Sequence, residues 1–313
     1  MGGGIATADL AAAVSTGGGL GTVGMSSPGK FGRELSRARK LVPKRPIAAN
    51  LLVPFLRTAH VSACIESGVT AVVLYAGFAP RVVRRLSASG ILVMQQVGTV
   101  GQARRAIATG VQALIVQGKE AGGHLVGVDP TPIALERVLQ VAQGRPVLAA
   151  GGVAGPDDVR RLLDGGAAAV VAGTRFLVTE SSGAHPVYKQ RVLSAKRTIE
   201  TMLFGFGWAM RHRVVPNAAT ERWCRKAPLG PAFTRALNAA TSGLGRVLPM
   251  EAGETILMRQ RPTLPFFTPA PPLAGHPDRL VEAAALYAGE SALRIRSIVP
   301  AGDAVRDLAA GWT

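Results

Sequence analysis

The sequence predicts an α/β fold in which a parallel sheet closes into a barrel. Three observations predict it. Short apolar runs recur over the first 175 residues, helix signals separate these runs, and glycine precedes several of them. Runs rich in Val, Ile and Leu are typical of strands buried on both faces, as in parallel sheets. Their alternation with helices predicts a sheet covered by helices, and we expect a TIM-type (β/α)8 barrel with a C-terminal helical subdomain.

Seven apolar runs are predicted to be the strands. In chain order they span residues 21–25, 47–52, 71–76, 91–97, 113–118, 146–152 and 169–174. Their starts lie 20 to 33 residues apart, close to the repeat of a (β/α)8 barrel of about 250 residues. The longest interval places a glycine-rich loop after the fifth run. In a barrel this is the C-terminal end of a strand, where catalytic residues lie.

Helix signals separate the predicted strands. Thr99 followed by Gln102 fits a capping box, and Pro132 and Pro156 stand where a first helical turn tolerates proline. Glycines that end helices are predicted at Gly90, Gly144 and Gly165.

The N-terminal region begins with a helix rather than a strand. This helix is predicted to start near Thr7 and to end at Gly17. A closed barrel needs eight strands, and the sequence supplies seven. We therefore expect the barrel to lack its first strand in this chain, being open on one side or beginning upstream of Met1.

Residues 19–24 read G-x-G-x-x-G, which is the dinucleotide-binding fingerprint. That motif must follow a strand and open a helix. Here the predicted order is helix and then strand, so we do not expect a Rossmann site.

Composition excludes several classes of protein. The chain has 38 glycines without a G-X-Y repeat, and 48% of its residues are hydrophobic, which excludes collagen and disorder. Cys64 and Cys224 form no metal-binding pattern and favour a reducing compartment. No basic, apolar leader and no apolar run of about 18 residues is present. We expect a cytoplasmic protein with neither a metal nor a membrane partner.

The net charge of +17 is spread along the chain. Residues 1–184 carry 19 basic and 10 acidic side chains, and residues 185–313 carry 17 and 9. A nucleic-acid-binding protein concentrates its basic residues on one face. We therefore predict no nucleic-acid partner, although the charge favours anionic substrates or cofactors.

Two pairs of residues follow the last two predicted strands. They are Gly151-Gly152 and Gly173-Thr174. Barrels build phosphate sites at these places from backbone N–H groups and a helix N-terminus. The alternative is that these are ordinary turn glycines, but the two pairs together predict a phosphate site.

Polar residues stand at the ends of other predicted strands. His124 lies on the glycine-rich loop, where a neutral imidazole can act as a general base near pH 7. Asn50, Gln96 and Gln117 lie in or at the ends of apolar runs. The alternative is a structural histidine and satisfied core amides. Three amides at one barrel mouth suit a ring with several donors and acceptors, such as a flavin isoalloxazine.

At this point the chain resembles a family. Residues 117–127, 146–153 and 173–177, together with the opening 10–21, are similar to the flavin-dependent nitronate monooxygenases. The resemblance covers roughly residues 1–200 and returns near residues 286–289. It implies a barrel that holds FMN, with His124 as the catalytic base. The predicted cofactor-binding residues are Asn50, Gln96, Gln117, Gly122, Gly123, Gly151, Gly152, Ala172, Gly173 and Thr174.

The chain departs from the family pattern at two places. The family strand that ends in a Pro-Met pair is missing, and Met1 stands in the place of that methionine. Ala172 replaces a frequent glutamine, which removes a side-chain contact and keeps the backbone contacts.

Three functions follow from these residues. The first is oxidation of alkyl nitronates or nitroalkanes by molecular oxygen on FMN. Flavin enoyl-acyl-carrier-protein reductases share the His124 loop and the 173–176 segment, so the second is NAD(P)H-dependent reduction of an enoyl thioester or quinone. The third is a truncated, non-catalytic barrel.

The predicted domain organisation has three parts. Residues 1–184 form the FMN-binding barrel, residues 185–277 a helical lid with a proline-rich connector at 262–277, and residues 278–313 helices that return to the barrel. The aromatic residues Phe204, Phe206, Trp208 and Trp223 are predicted to belong to the lid, and the alternative is an ordinary helical core. Residues 280–288 and 305–310 are predicted to be helical.

Overall fold

The computed structural model describes residues 2–243 and 250–312, so Met1 and its predicted role lie outside the described residues. A seven-stranded parallel sheet forms the centre, with strand order β1-β2-β3-β4-β5-β7-β8. All seven predicted strands are confirmed. They are β1 (Gly21–Gly24), β2 (Ile47–Leu52), β3 (Ala71–Tyr75), β4 (Leu92–Val97), β5 (Ala113–Gln117), β7 (Val147–Ala150) and β8 (Ala169–Val171). A short strand β6 (Gly123–His124) belongs to a second sheet.

Helices follow all seven strands of the sheet, and one helix precedes β1. Those of the barrel are α1 (Ala8–Thr16), α2 (Pro28–Leu41), α3 (Thr58–Glu66), α4 (Pro80–Ala88), α5 (Val100–Ala108), α6 (Thr131–Leu139), α7 (Pro156–Asp164) and α8 (Thr174–Leu177). Those of the remaining chain are α9 (Pro186–Leu193), α10 (Ala218–Trp223), α11 (Ala232–Thr241), α12 (Met250–Leu257) and α13 (Ala301–Ala309).

The predicted helix boundaries follow from local chemistry. The Thr99 hydroxyl caps α5 by accepting from the Gln102 N–H at 3.2 Å, while the Gln102 side chain accepts from the Gly98 N–H at 2.7 Å. Proline lies in the first turn of both α6 and α7, as predicted. Gly90 follows α4 with φ +75°, a conformation that glycine adopts without strain.

Side chains along each strand point alternately into the barrel and towards the surrounding helices, so they contribute to two cores. Side chains that point into the barrel are mostly small or branched and include Ala48, Val73, Met94 and Ile115. Side chains at the alternate strand positions point outwards and pack against the helices. Because side chains alternate along a strand, the last inward position of each strand lies at the barrel mouth.

The sheet is open between β1 and β8, which are its two edge strands. The described residues thus contain seven of the eight strands of the class, and α1 is the first element among them. Helix α13 returns to the barrel and packs Ala301 against Leu10 and Val14. The G-x-G-x-x-G sequence at 19–24 follows α1 and ends in β1, so the predicted order of helix and then strand is confirmed.

Three aromatic residues of the expected helical lid, Phe204, Phe206 and Trp208, lie in a hairpin, which corrects the prediction for them, whereas Trp223 is the last residue of helix α10. Strands β9 (Ile199–Thr201) and β10 (His212–Val214) pair antiparallel, and β10 also pairs with β6, placing His212 opposite His124. Strands of three residues are too short to show a period in the sequence. The boundaries at residues 184 and 277 stay a prediction.

The C-terminal segment is only partly helical. Residues 280–288 do not form the predicted helix: a 3-10 turn covers Asp278–Glu282, and Tyr287 then bridges Val214 in extended form. The predicted helix at 305–310 lies largely within α13. Among the described residues, no helix has the length and apolarity to cross a membrane.

Candidate active site

A cavity of about 500 Å³ lies at the C-terminal ends of the barrel strands. Pockets of this size commonly bind small molecules or cofactors. The structure brings all the sequence-predicted site residues to this one cavity. They are Asn50, Gln96, Gln117, Gly122, Gly123, His124, Gly151, Gly152, Ala172, Gly173 and Thr174.

The three predicted amides line the cavity, and two of them, Gln117 and Asn50, differ in the hydrogen bonds that their side chains make. Gln117 is buried, and its side chain is bonded to the loop that follows β5: Nε2 donates to the His124 carbonyl at 3.0 Å, and Oε1 accepts from the Val126 N–H at 2.8 Å. Asn50 donates to the Val73 carbonyl at 3.3 Å. Gln117 therefore holds the loop of residues 118–127, the His124 loop, whereas Asn50 keeps its side-chain oxygen for a ligand.

The His124 loop is fixed at two further points. The Glu120 carboxylate accepts from the Thr131 N–H at 2.9 Å and from the Thr131 hydroxyl at 2.6 Å. Gly122 packs directly on the chain at 288–289, where a Cβ atom on Gly122 would lie 2.4 Å from the Gly289 nitrogen. The loop is therefore held by contacts from both the barrel and the C-terminal segment.

His124 lines the cavity and carries an unpaired ring nitrogen. Its Nε2 is buried and has no hydrogen-bond partner among the described residues. The imidazole stacks on Trp208, with ring centroids 3.9 Å apart and planes at 23°. Burial, with a smaller contribution from His212, lowers the pKa of His124 well below its ordinary value, so the ring is neutral near pH 7.

His212 supports His124 from the neighbouring strand. Their ring centroids are 5.3 Å apart. Since the Phe204 N–H donates to Nε2 at 3.4 Å, Nδ1 carries the proton and donates to the Met210 carbonyl at 2.9 Å. Burial lowers the pKa of His212 to about 4, so this ring is also neutral.

The turns after β7 and β8 provide a place for an anion. Gly151 and Gly152 have φ of +129° and +73°, and a Cβ on Gly151 would lie 2.6 Å from the Thr131 hydroxyl. Within the described residues, the Gly152 and Val153 N–H groups donate no hydrogen bond. The Thr174 hydroxyl accepts from the Gly289 N–H at 2.9 Å and is free to donate to a ligand. Such free donors suit a phosphate group.

Four aromatic side chains line part of the cavity, and the sequence reasoning missed all of them except Trp208, which it placed in the lid. This aromatic wall consists of Phe55, Tyr75, Trp208 and Tyr287. Trp208 contacts Phe55 and Tyr75 edge to face, at 5.1 and 6.4 Å between ring centroids. The sequence signal for Tyr75 is its position two residues after the inward-facing Val73 at the end of β3, a position that an ordinary core tyrosine also occupies.

The fold and the site together define an α/β-barrel protein with a ligand cavity at the C-terminal ends of its strands. The nitronate monooxygenase family matches residues 1–311, and the chain belongs to this family. The resemblance seen in residues 117–127, 146–153 and 173–177 is thereby confirmed.

Individual relatives agree with this assignment. A nitronate monooxygenase of Pseudomonas aeruginosa is 31% identical over 248 residues, which cover 64% of this chain and 70% of that protein. A (3aS,4S,5R,7aS)-5-hydroxy-7a-methyl-1-oxo-octahydro-1H-indene-4-carboxyl-CoA dehydrogenase of Mycobacterium tuberculosis is 32% identical over 227 residues. The match covers 70% of this chain but 62% of that enzyme, which is less than two thirds of its length.

Solved structures share the fold along almost the whole chain. FabK from Thermotoga maritima has a TM-score of 0.77 and 26% identity, covering 100% of this chain and 91% of that one. Nitroalkane oxidase from Streptomyces ansochromogenes has a TM-score of 0.77 and 26% identity, covering 99% and 93%.

Proposed function

We propose that this protein is an FMN-dependent oxidoreductase that oxidises alkyl nitronates and nitroalkanes with molecular oxygen. The observation that carries the proposal is the buried, unpaired Nε2 of His124, a residue that lines the same cavity as the glycine turns after β7 and β8. Membership of the nitronate monooxygenase family supports this reaction class.

The residues around the cavity fit FMN. The free N–H groups at Gly152 and Val153 and the Thr174 hydroxyl would hold the phosphate. Asn50, Gln96 and the backbone near Ala172 would face the ring system. FMN, when bound, supplies the electron-accepting chemistry, whereas the protein supplies position and electrostatics.

His124 is proposed as the general base. A neutral nitroalkane placed in the cavity loses its α-proton to Nε2, the C–H electron pair becomes a C=N bond, and negative charge moves to the nitro oxygens. The nitrogen is suited to this task because burial keeps the imidazole neutral. An alkyl nitronate already lacks this proton and does not need the base.

Oxygen consumption tests the proposal. We expect purified protein loaded with FMN to consume oxygen with both nitroethane and ethyl nitronate. In a His124→Gln variant, activity should fall by about 100-fold or more with nitroethane and much less with the nitronate. No oxygen consumption by the wild-type protein with either compound would refute the function. A protein that takes up no FMN would favour the non-catalytic barrel.

A second candidate function is reduction of an enoyl thioester by NAD(P)H on the same flavin. The mycobacterial relative, a dehydrogenase whose name specifies a carboxyl-CoA substrate, favours a thioester as the substrate. Anaerobic mixing of the FMN-loaded protein with NADH or NADPH separates the two candidates. Rapid bleaching of the flavin absorbance would support the reductase, and an unchanged spectrum would exclude it.

The same proposal includes a cytoplasmic location and small-molecule substrates. Both cysteines, Cys64 and Cys224, are unpaired and buried, which suits a reducing compartment.

A further inference from the structure

Tyr75 carries a second unpaired polar atom in the same cavity. Its ring is buried, and its hydroxyl has no hydrogen-bond partner among the described residues. Tyr75 and His124 both pack against Trp208, and both residues line the same cavity. A buried hydroxyl without a partner destabilises a fold, and such groups in functional cavities commonly await a ligand.

The backbone after Tyr75 is strained in a way that fixes its direction. Ala76 has φ +59°, which is unfavourable for a residue with a Cβ atom. The next residue, Gly77, approaches Val53 so closely that a Cβ there would lie 2.7 Å from the Val53 Cγ1. Leu52 of β2 is the register partner of Tyr75. Strand β3 therefore ends abruptly and presents the phenol to the barrel mouth.

We propose that Tyr75 is a further catalytic residue, whose hydroxyl donates a hydrogen bond to a nitro oxygen of the substrate. This rests on the proposed function. As His124 takes the α-proton, the electron pair of the C–H bond forms C=N, and the charge that develops on the oxygen is stabilised by the phenol. The tyrosine keeps its own proton throughout, and the α-proton is transferred to His124 alone.

The phenol is suited to donate rather than to act as a base. Burial raises the pKa of Tyr75, which keeps the hydroxyl protonated over the working pH range. Uncharged donors directed at the site of developing charge are a large source of rate enhancement in enzymes.

The other two tyrosines of the chain, Tyr188 and Tyr287, differ from Tyr75. The Tyr188 hydroxyl donates to the Tyr287 carbonyl at 2.6 Å, and the Tyr287 hydroxyl donates to the Pro269 carbonyl at 2.8 Å. Both therefore have structural bonds. Tyr188 does not line the cavity, which makes it the matched control.

Tyr75→Phe and Tyr188→Phe test the proposal against a structural role. For Tyr75→Phe we expect kcat with nitroethane to fall about 10- to 100-fold, since a hydrogen bond to developing charge is lost. With ethyl nitronate, which is charged before it reacts, KM should rise by a similar factor while kcat changes little. The melting temperature of the ligand-free protein should stay the same or rise. Tyr188→Phe should show the reverse: a lower melting temperature and little change in kcat/KM.

The outcomes separate this proposal from the function it rests on. A wild-type protein that neither oxidises nor binds ethyl nitronate overturns both. An active wild-type protein with a Tyr75→Phe variant that keeps its kcat for nitroethane and its anaerobic affinity for ethyl nitronate, each within threefold, overturns the role of Tyr75 alone. A Tyr75→Phe variant that loses melting temperature together with activity would likewise overturn it, because that result marks a structural residue.

Discussion

Gly122→Ala should destabilise the protein and loosen the His124 loop. The added Cβ atom would lie 2.4 Å from the Gly289 nitrogen and 2.5 Å from the Ala288 carbonyl carbon. Both are backbone atoms, so the two segments must separate. Overpacking of this kind costs about 1–3 kcal/mol. Separation would also weaken the hydrogen bond from the Gly289 N–H to the Thr174 hydroxyl, at a cost of about 1 kcal/mol.

Gly123→Ala is the matched control for this prediction. Gly123 has φ +78°, and a Cβ there meets nothing within 4 Å. Its cost is therefore conformational only, about 1–2 kcal/mol. Urea unfolding gives the free energy of each variant, and FMN titration gives its affinity. If Gly122→Ala is no less stable than Gly123→Ala, or binds FMN as tightly as the wild type, the close approach does not hold the loop.

Three further predictions concern buried polar groups. The pKa of His212 is about 4 in the folded protein, so below about pH 6.5 the folded chain binds fewer protons at this residue than the unfolded chain. The free energy of unfolding should therefore fall by about 3 kcal/mol from pH 6.5 to 4, and by less in the His212→Gln variant. Urea unfolding at each pH measures both. Burial alone would raise the pKa of Asp158, but hydrogen bonds from Arg294 and from N–H groups at the start of α7 lower it. The Asp158→Asn variant should lose about 2–4 kcal/mol of stability at pH 7, and a loss below about 0.5 kcal/mol by thermal unfolding would contradict this. Gln117→Leu removes both side-chain bonds to the His124 loop and should lower kcat/KM for nitroethane by about 10-fold; unchanged kinetics would show that the loop holds itself.

The barrel was predictable because each parallel strand is buried on both faces. An uninterrupted apolar run is its direct signature, and the starts of β2, β3, β5 and β8 match the predicted residues. The polar residues at strand ends could also be found, since Asn50 and Gln117 interrupt that pattern.

The rest of the site depends on contacts between distant parts of the chain. Trp208 stacks on His124, 84 residues away, through pairing of β10 with β6. Nothing in two or three residues of strand sequence specifies that partner. Tyr75 was missed for a different reason: a tyrosine at the end of an apolar run is compatible with an ordinary core, and only the unpaired hydroxyl in the folded chain distinguishes it.

The pairing of β6 with β10 also bears on how such proteins diversify. The barrel supplies the backbone that carries His124, but the indole and second imidazole against it come from the hairpin at 199–214. Recombination that replaced this hairpin would alter the basicity and access of His124 while leaving the barrel sequence untouched. The residues that surround the His124 imidazole and the glycine turns after β7 and β8 can therefore evolve on separate segments of one gene.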